Sequence, residues 1–171
     1  MTYGDIERVN SEINMTNLKG KDYAMVPERV TAFRKIFPEG FIQTEIVKIS
    51  DDGKTVIMQA KAGYFREDGS RAILATGYAK EVQGQGMVNG TSHIENCETS
   101  AVGRALGMIG LGLNGGGICS AEELVNAVVG QRQMENDFEA LKKEIEQKKT
   151  APKPVKKDAP ATVEIADSLP I

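Results

Sequence analysis

The stretch His93–Gly117, HIENCETSAVGRALGMIGLGLNGGG, carries the residues best placed to do chemistry. Ile94, Cys97, Ala101, Val102, Ala105, Leu106, Met108 and Ile109 recur at helical spacing and form one broad apolar arc. Across from it, Asn96, Ser100, Gly103, Gly107 and Gly110 make a stripe of small residues. Glycine inside a helix costs about 1 kcal/mol relative to alanine. The stripe therefore implies that something approaches this backbone closely. Arg104 borders the stripe. A cation beside a bare backbone ridge could hold a phosphate chain. The plainer reading is helix-on-helix packing through Gly103 and Gly107, with Arg104 a solvated edge charge.

Other chemistries fit less well. Gly110-Leu-Gly112-Leu-Asn-Gly115 matches GxGxxG, but a dinucleotide fingerprint needs a strand before it and a helix opening after it. Here the glycines close a helix, where a C-cap and a turn are the simpler role. There is no GxxxxGK[ST], so GLGLNGGG as the phosphate cradle of a nucleotide-using enzyme is disfavoured. His93 is the only histidine, which argues against a zinc site or a histidine-based triad and suits a residue near a helix start. Cys97 and Cys119 form no CxxC and read as reduced, buried thiols. Glu98 falls on the apolar arc and suits a cation at a subunit contact better than catalysis. No catalytic residue, metal or cofactor is expected.

With 171 residues, 40% of them hydrophobic, the chain can bury one core and carry a tail. No apolar run is long enough to span a membrane. The opening MTYGDIERVN lacks a basic start and an apolar core, so no secretory leader and a cytoplasmic location are expected. The net charge is −3, a weak signature for nucleic-acid binding. Residues 1–119 hold 13 Lys+Arg against 14 Asp+Glu, and residues 120–171 hold 8 against 10. Any nucleic-acid site must then be a local basic strip, and self-assembly could line up such strips.

The elements that would position these residues follow from patterning. Ile6, Val9 and Ile13 share one face of a short helix over 5–15, and Asn17–Asp22 reads as a loop. Pro27 opens a second helix with Val30, Phe33, Ile36 and Phe37 on its apolar side, and Pro38-Glu39-Gly40 ends it. Three strands follow over 41–50, 54–65 and 71–82, joined by Asp51-Asp52-Gly53 and Asp68-Gly69 turns. In the middle strand Val56, Met58, Ala60, Ala62 and Tyr64 face one way, and Lys61 faces the other. Lys48, Lys61, Arg66, Arg71 and Lys80 recur along the meander, where an ordinary solvated sheet face would also place them. Gln83–Thr91 reads as a flexible link. Ser120-Ala-Glu-Glu123 is a capping box opening a helix whose charged later half suits either solvent or a weak coiled-coil contact. From about Lys148, TAPKPVKKDAPATVE reads as a disordered linker ending in EIADSLPI. The expected fold is α+β: a three-stranded antiparallel meander packed on a long helix, a β-β-β-α core, with flanking helices and a disordered C-terminal tail. The expected segments are a core over 1–119, a helix over 120–147 and a linker with its tip over 148–171.

This order resembles the Rad-fifty-two-like superfamily of single-strand DNA annealing proteins, which includes the phage Erf and Sak groups. The resemblance covers residues 5–119. It rests on Tyr23, Pro27-Glu28-Arg29-Val30, Phe37, the Asp68-Gly69-Ser70 turn, Thr76-Gly77-Tyr78 and Glu98 to Gly107. It implies a homo-oligomer, a ring or filament, whose basic groove holds single-stranded DNA by its backbone and anneals complementary strands in recombination or repair without ATP. It implies DNA contacts at Arg29 and Arg104; Gly103 and Gly107 stand where the family often has further cations. Lys61 would compensate by its face, with Lys48, Lys80 and Arg66 beside it on the meander. The alternative on the same fold is a protein that coats single strands or protects DNA ends without annealing. The tip Asp167, Leu169, Pro170 and Ile171 resembles the acidic tip of bacterial single-strand binding proteins, which implies docking to a replication or repair partner.

Overall fold

A computed structural model of the chain describes residues 2–18, 20–84, 88–113 and 117–150. The chain forms two compact units, residues 1–136 and 137–171. In the first, helix α1 (Tyr3–Ser11) leads into strands β1 (Met15–Leu18) and β2 (Lys21–Ala24). Helix α2 (Val26–Ile36) follows, then β3 (Phe41–Ile49), β4 (Thr55–Phe65) and β5 (Arg71–Val82). After a 3-10 turn at Val88–Gly90 come α3 (His93–Ile109) and α4 (Ala121–Thr150). The described part of the second unit is the continuation of α4 over 137–150. The linker expected from Lys148 therefore begins inside that helix, and its remainder, with the tip Asp167, Leu169, Pro170 and Ile171, lies outside the described residues.

The meander is antiparallel in the order β3-β4-β5, as the two Asp-Gly turns imply. Gly69 takes φ +79°, which a side chain disfavours and the hairpin turn needs. Alternation along β4 decides which face is buried. Val56, Met58, Ala60 and Ala62 point at α3, where Cys97, Ala101 and Ala105 have no exposed surface. Small residues on both sides bring the two layers close. At Gly77 a Cβ would collide with the backbone of Ala101 and Ala105 in α3. Burial pushes the Cys97 thiol above its ordinary range, so it stays protonated.

Local chemistry sets the helix ends. Thr2 and Asp5 form a reciprocal capping box, with Thr2 N donating to Asp5 Oδ2 at 2.7 Å, so α1 begins and ends earlier than its apolar spacing predicts. The Ser120–Glu123 box forms as expected, with Ser120 N to Glu123 Oε2 at 2.9 Å and Glu123 N to Ser120 Oγ at 3.3 Å. Gly110 caps α3 at φ +105°. His93 opens α3, its Nε2 3.2 Å from Gly53 O, which ties the helix start to the β3–β4 turn. Where a loop was expected over 17–22, β1 and β2 pair as a hairpin, Met15 opposite Ala24 and Leu18 opposite Lys21. Each strand has four residues, too few for alternation to show.

Candidate nucleic-acid interface

The small stripe of α3 does receive a close neighbour, and that neighbour is the protein itself. A Cβ on Gly103 would lie 2.8 Å from Val26 Cγ2, and one on Gly107 would lie 2.6 Å from Arg29 Nη1. Arg29 is fully buried in the space those glycines leave. Its Nη1 donates to Gly103 O and to Ile118 O, each at 2.7 Å, and its Nη2 donates to Cys119 O at 3.1 Å. A guanidinium with no exposed surface cannot meet a phosphate. The assignment of Arg29 as a DNA contact is therefore corrected: it ties α2 to α3 and to the segment before α4. The same packing answers for Gly103 and Gly107, which face α2 and residues 118–120.

Arg104 is half-exposed and ion-paired, with its Nε 2.7 Å from Glu123 Oε1. That carboxylate also accepts the Ser120 amide at the start of α4. Arg104 belongs to the helix layer, whereas Lys61 points from the opposite face of the sheet, so the two share no groove. Glu98 accepts a hydrogen bond from Thr44 Oγ1 at 2.6 Å within the same chain.

The meander brings the other cations together. Cross-strand partners lie on one face about 5 Å apart, so register lays out that face in rows. Lys48, Ile57 and Lys80 form one row; Glu45, Gln59 and Tyr78 the next; Gln43, Lys61 and Thr76 the third. Phe41, Gly63 and Ile73 make the fourth, and Phe65 pairs with Arg71 at the end. This face points away from α3 and is open: Lys48, Arg71, Ile73, Tyr78 and Lys80 are exposed, Tyr78 by 54%. Arg66 falls outside the rows. It braces the hairpin turn, its Nη1 donating to Ser70 Oγ at 3.2 Å.

Charge is segregated on this sheet. Residues 41–82 hold six Lys+Arg and six Asp+Glu. Four of the acids, Asp51, Asp52, Glu67 and Asp68, lie in the two turns. Asp52 accepts from Ser50 Oγ at 2.6 Å, and Asp68 is held by the Ser70 hydroxyl and then by Ser70 N at 2.9 Å; these bonds hold both carboxyls below the usual range. Glu81 faces α3. The open face keeps Lys48, Lys61, Arg71 and Lys80 against Glu45 alone, and Glu45 pairs with Lys61 at 2.7 Å. Aromatic rings interleave with the cations. Arg71 lies 5.2 Å from the Phe41 ring centre and 5.8 Å from that of Phe65. Gln59 Nε2 donates to Tyr78 Oη. Arg71 and the aromatics were outside the expected site; the signal for them was register, since Phe65 and Arg71 flank the Asp68-Gly69 turn.

A model of the family described as Slr1353 N-terminal dsRNA-binding domain-like matches residues 30–109, from within α2 to the end of α3. No curated protein matches the chain. The family match overturns the resemblance to the Rad-fifty-two-like annealing proteins. The DGS turn, the TGY strand and the Glu98–Gly107 helix that carried it all fall inside the stretch matched by the other family. Those motifs are short, and their spacing follows from an α-β-β-β-α order rather than from a particular ligand. Among the described residues no helix is long and apolar enough to cross a membrane.

Proposed function

We propose that the chain binds nucleic acid through the open face of its meander, and that the strand bound there is single. Phosphates would meet Lys48, Lys61, Lys80 and Arg71, while bases stack on Tyr78, Phe65 and Phe41. Charge with aromatic platforms is the physical recipe for single-strand binding without sequence preference. The observation that carries the proposal is the segregation of four cations and three aromatics onto one uncovered face, within a stretch similar to a family described as dsRNA-binding domain-like. No nucleotide hydrolysis is assigned to it. Bases stacked on a sheet are not free to pair. This favours coating or protection of strands over annealing in recombination or repair, which needs bases turned outward. Binding of duplex RNA by shape is the second reading, and the family description favours it.

The test is fluorescence anisotropy with single-stranded DNA, single-stranded RNA and duplex RNA, for wild type, Tyr78→Ala and Lys48→Ala/Lys61→Ala/Lys80→Ala. Single strands should bind tightest, Tyr78→Ala should weaken them about tenfold, and the triple variant should abolish most binding. Tighter duplex binding that ignores Tyr78→Ala would move the function to the second reading. Absence of binding to all three probes would refute both. Mixing complementary labelled strands with the protein then reads annealing directly; accelerated pairing would show the bases to be presented outward.

A further inference from the structure

Helix α4 carries large apolar side chains that stand exposed. Met134, Phe138 and Leu141 are 67%, 58% and 53% exposed. They are spaced four and then three residues apart, and Ile145 stands four further along the sequence. That is the a/d rhythm of a coiled coil, which extends back in sequence through Gln131 and Ala127 to Leu124. Lys142 lies 4.6 Å from the Phe138 ring centre and pairs with Glu139 at 3.0 Å, yet the ring keeps most of its surface in water. A long helix with large side chains spaced this way gains by burying them against a like surface.

We propose that α4 pairs with α4 of a second copy of this chain as a parallel coiled coil. The charges beside the seam select both the partner and the direction. With Phe138 at a and Leu141 at d, Asp137 takes position g and Lys142 position e. In a parallel pair each g residue meets the e residue of the following heptad on the other helix, so Asp137 meets Lys142 of the second copy. Glu144 and Lys149 repeat that opposite-sign pair one heptad later in the sequence. An antiparallel pair would set g against g, acid against acid. Gln131, polar at an a position, fixes register at some cost in affinity. The dimer would display two sheet faces, so a long strand could engage both with a gain from effective concentration.

Sedimentation equilibrium of the full chain without nucleic acid tests the proposal independently of what the sheet binds. Wild type should show a concentration-dependent monomer–dimer equilibrium. Phe138→Glu should be monomeric across the same range and, because Phe138 is exposed in the single chain, should melt like wild type at concentrations where wild type is monomeric. Asp137→Lys should weaken the dimer about tenfold, since it puts two like-charge contacts where attraction stood. A wild type that stays monomeric at every concentration, or a dimer that survives Phe138→Glu, would overturn the seam. A dimer tightened by Asp137→Lys would overturn the parallel direction.

Discussion

Two arginines drawn to the same expected role end up in opposite environments. Arg104 stays at the surface, half-exposed, and pairs with Glu123, whose carboxylate is largely buried. Arg29 has no exposed surface, and its Nη1 and Nη2 donate to the backbone carbonyls of Gly103, Ile118 and Cys119. Arg29→Met should therefore cost about 3 kcal/mol or more, since buried carbonyls lose their donors, while the protein that remains folded binds single strands as before. Urea unfolding and anisotropy measured together check this, and full stability in the variant would show those bonds to be idle. Glu81 supplies a pH test. Burial pushes its carboxyl above the ordinary value of 4.5, against the pull of the hydrogen bond from Asn89 at 2.6 Å. The fold therefore favours the protonated form. It bears no cost below pH 4.5, where the unfolded chain is protonated too, and the full cost once the pH has risen past the native value. Glu81→Gln keeps an oxygen for Asn89 and should raise Tm at neutral pH but not in acid. A Tm gain that persists unchanged into acid would assign the effect to something other than ionisation.

At the level of elements, the contact between sheet and helix rests on size more than on hydrophobicity. Ala60, Ala79, Cys97, Ala101 and Ala105 are all small, and Gly77 has no side chain to hold the layers apart. Gly77→Ala should destabilise by about 2 kcal/mol, because rigid backbone stands where the methyl would go. Gly90→Ala, with nothing within 4 Å of its would-be Cβ, is the matched control and should change stability by less than about 0.5 kcal/mol. Thermal unfolding of the pair separates a packing cost from a general cost of adding a methyl. The strands of the meander were legible because long alternating runs between Asp-Gly turns leave few alternatives. The β1–β2 hairpin was not, because its polar LKGKD stretch looks like a loop until its strands pair with each other.

For the whole molecule, net charge proved a poor guide to where charge acts. The chain is at −3, and residues 41–82 are balanced, yet one sheet face gathers four cations against one carboxylate. Binding to a single strand should then be local and salt-sensitive, with each lysine removed from the face lowering the slope of log affinity against log salt by about 0.7. A slope indifferent to Lys48, Lys61 and Lys80 would place the contacts elsewhere. Local patterning was enough to read the α+β order, the meander, the two hairpin turns, the Ser120–Glu123 cap and the fact that something must approach the glycines of α3. Patterning reaches that far because turns, caps and alternation are read from neighbours a few residues apart. Three-dimensional packing was needed to see that the approaching group is Arg29, that Arg104 and the lysines lie on opposite sides of the sheet, and that Arg71 joins Phe41 and Phe65. Those outcomes depend on register across strands and on which helix closes over which face, and both are set by contacts between residues far apart in the chain.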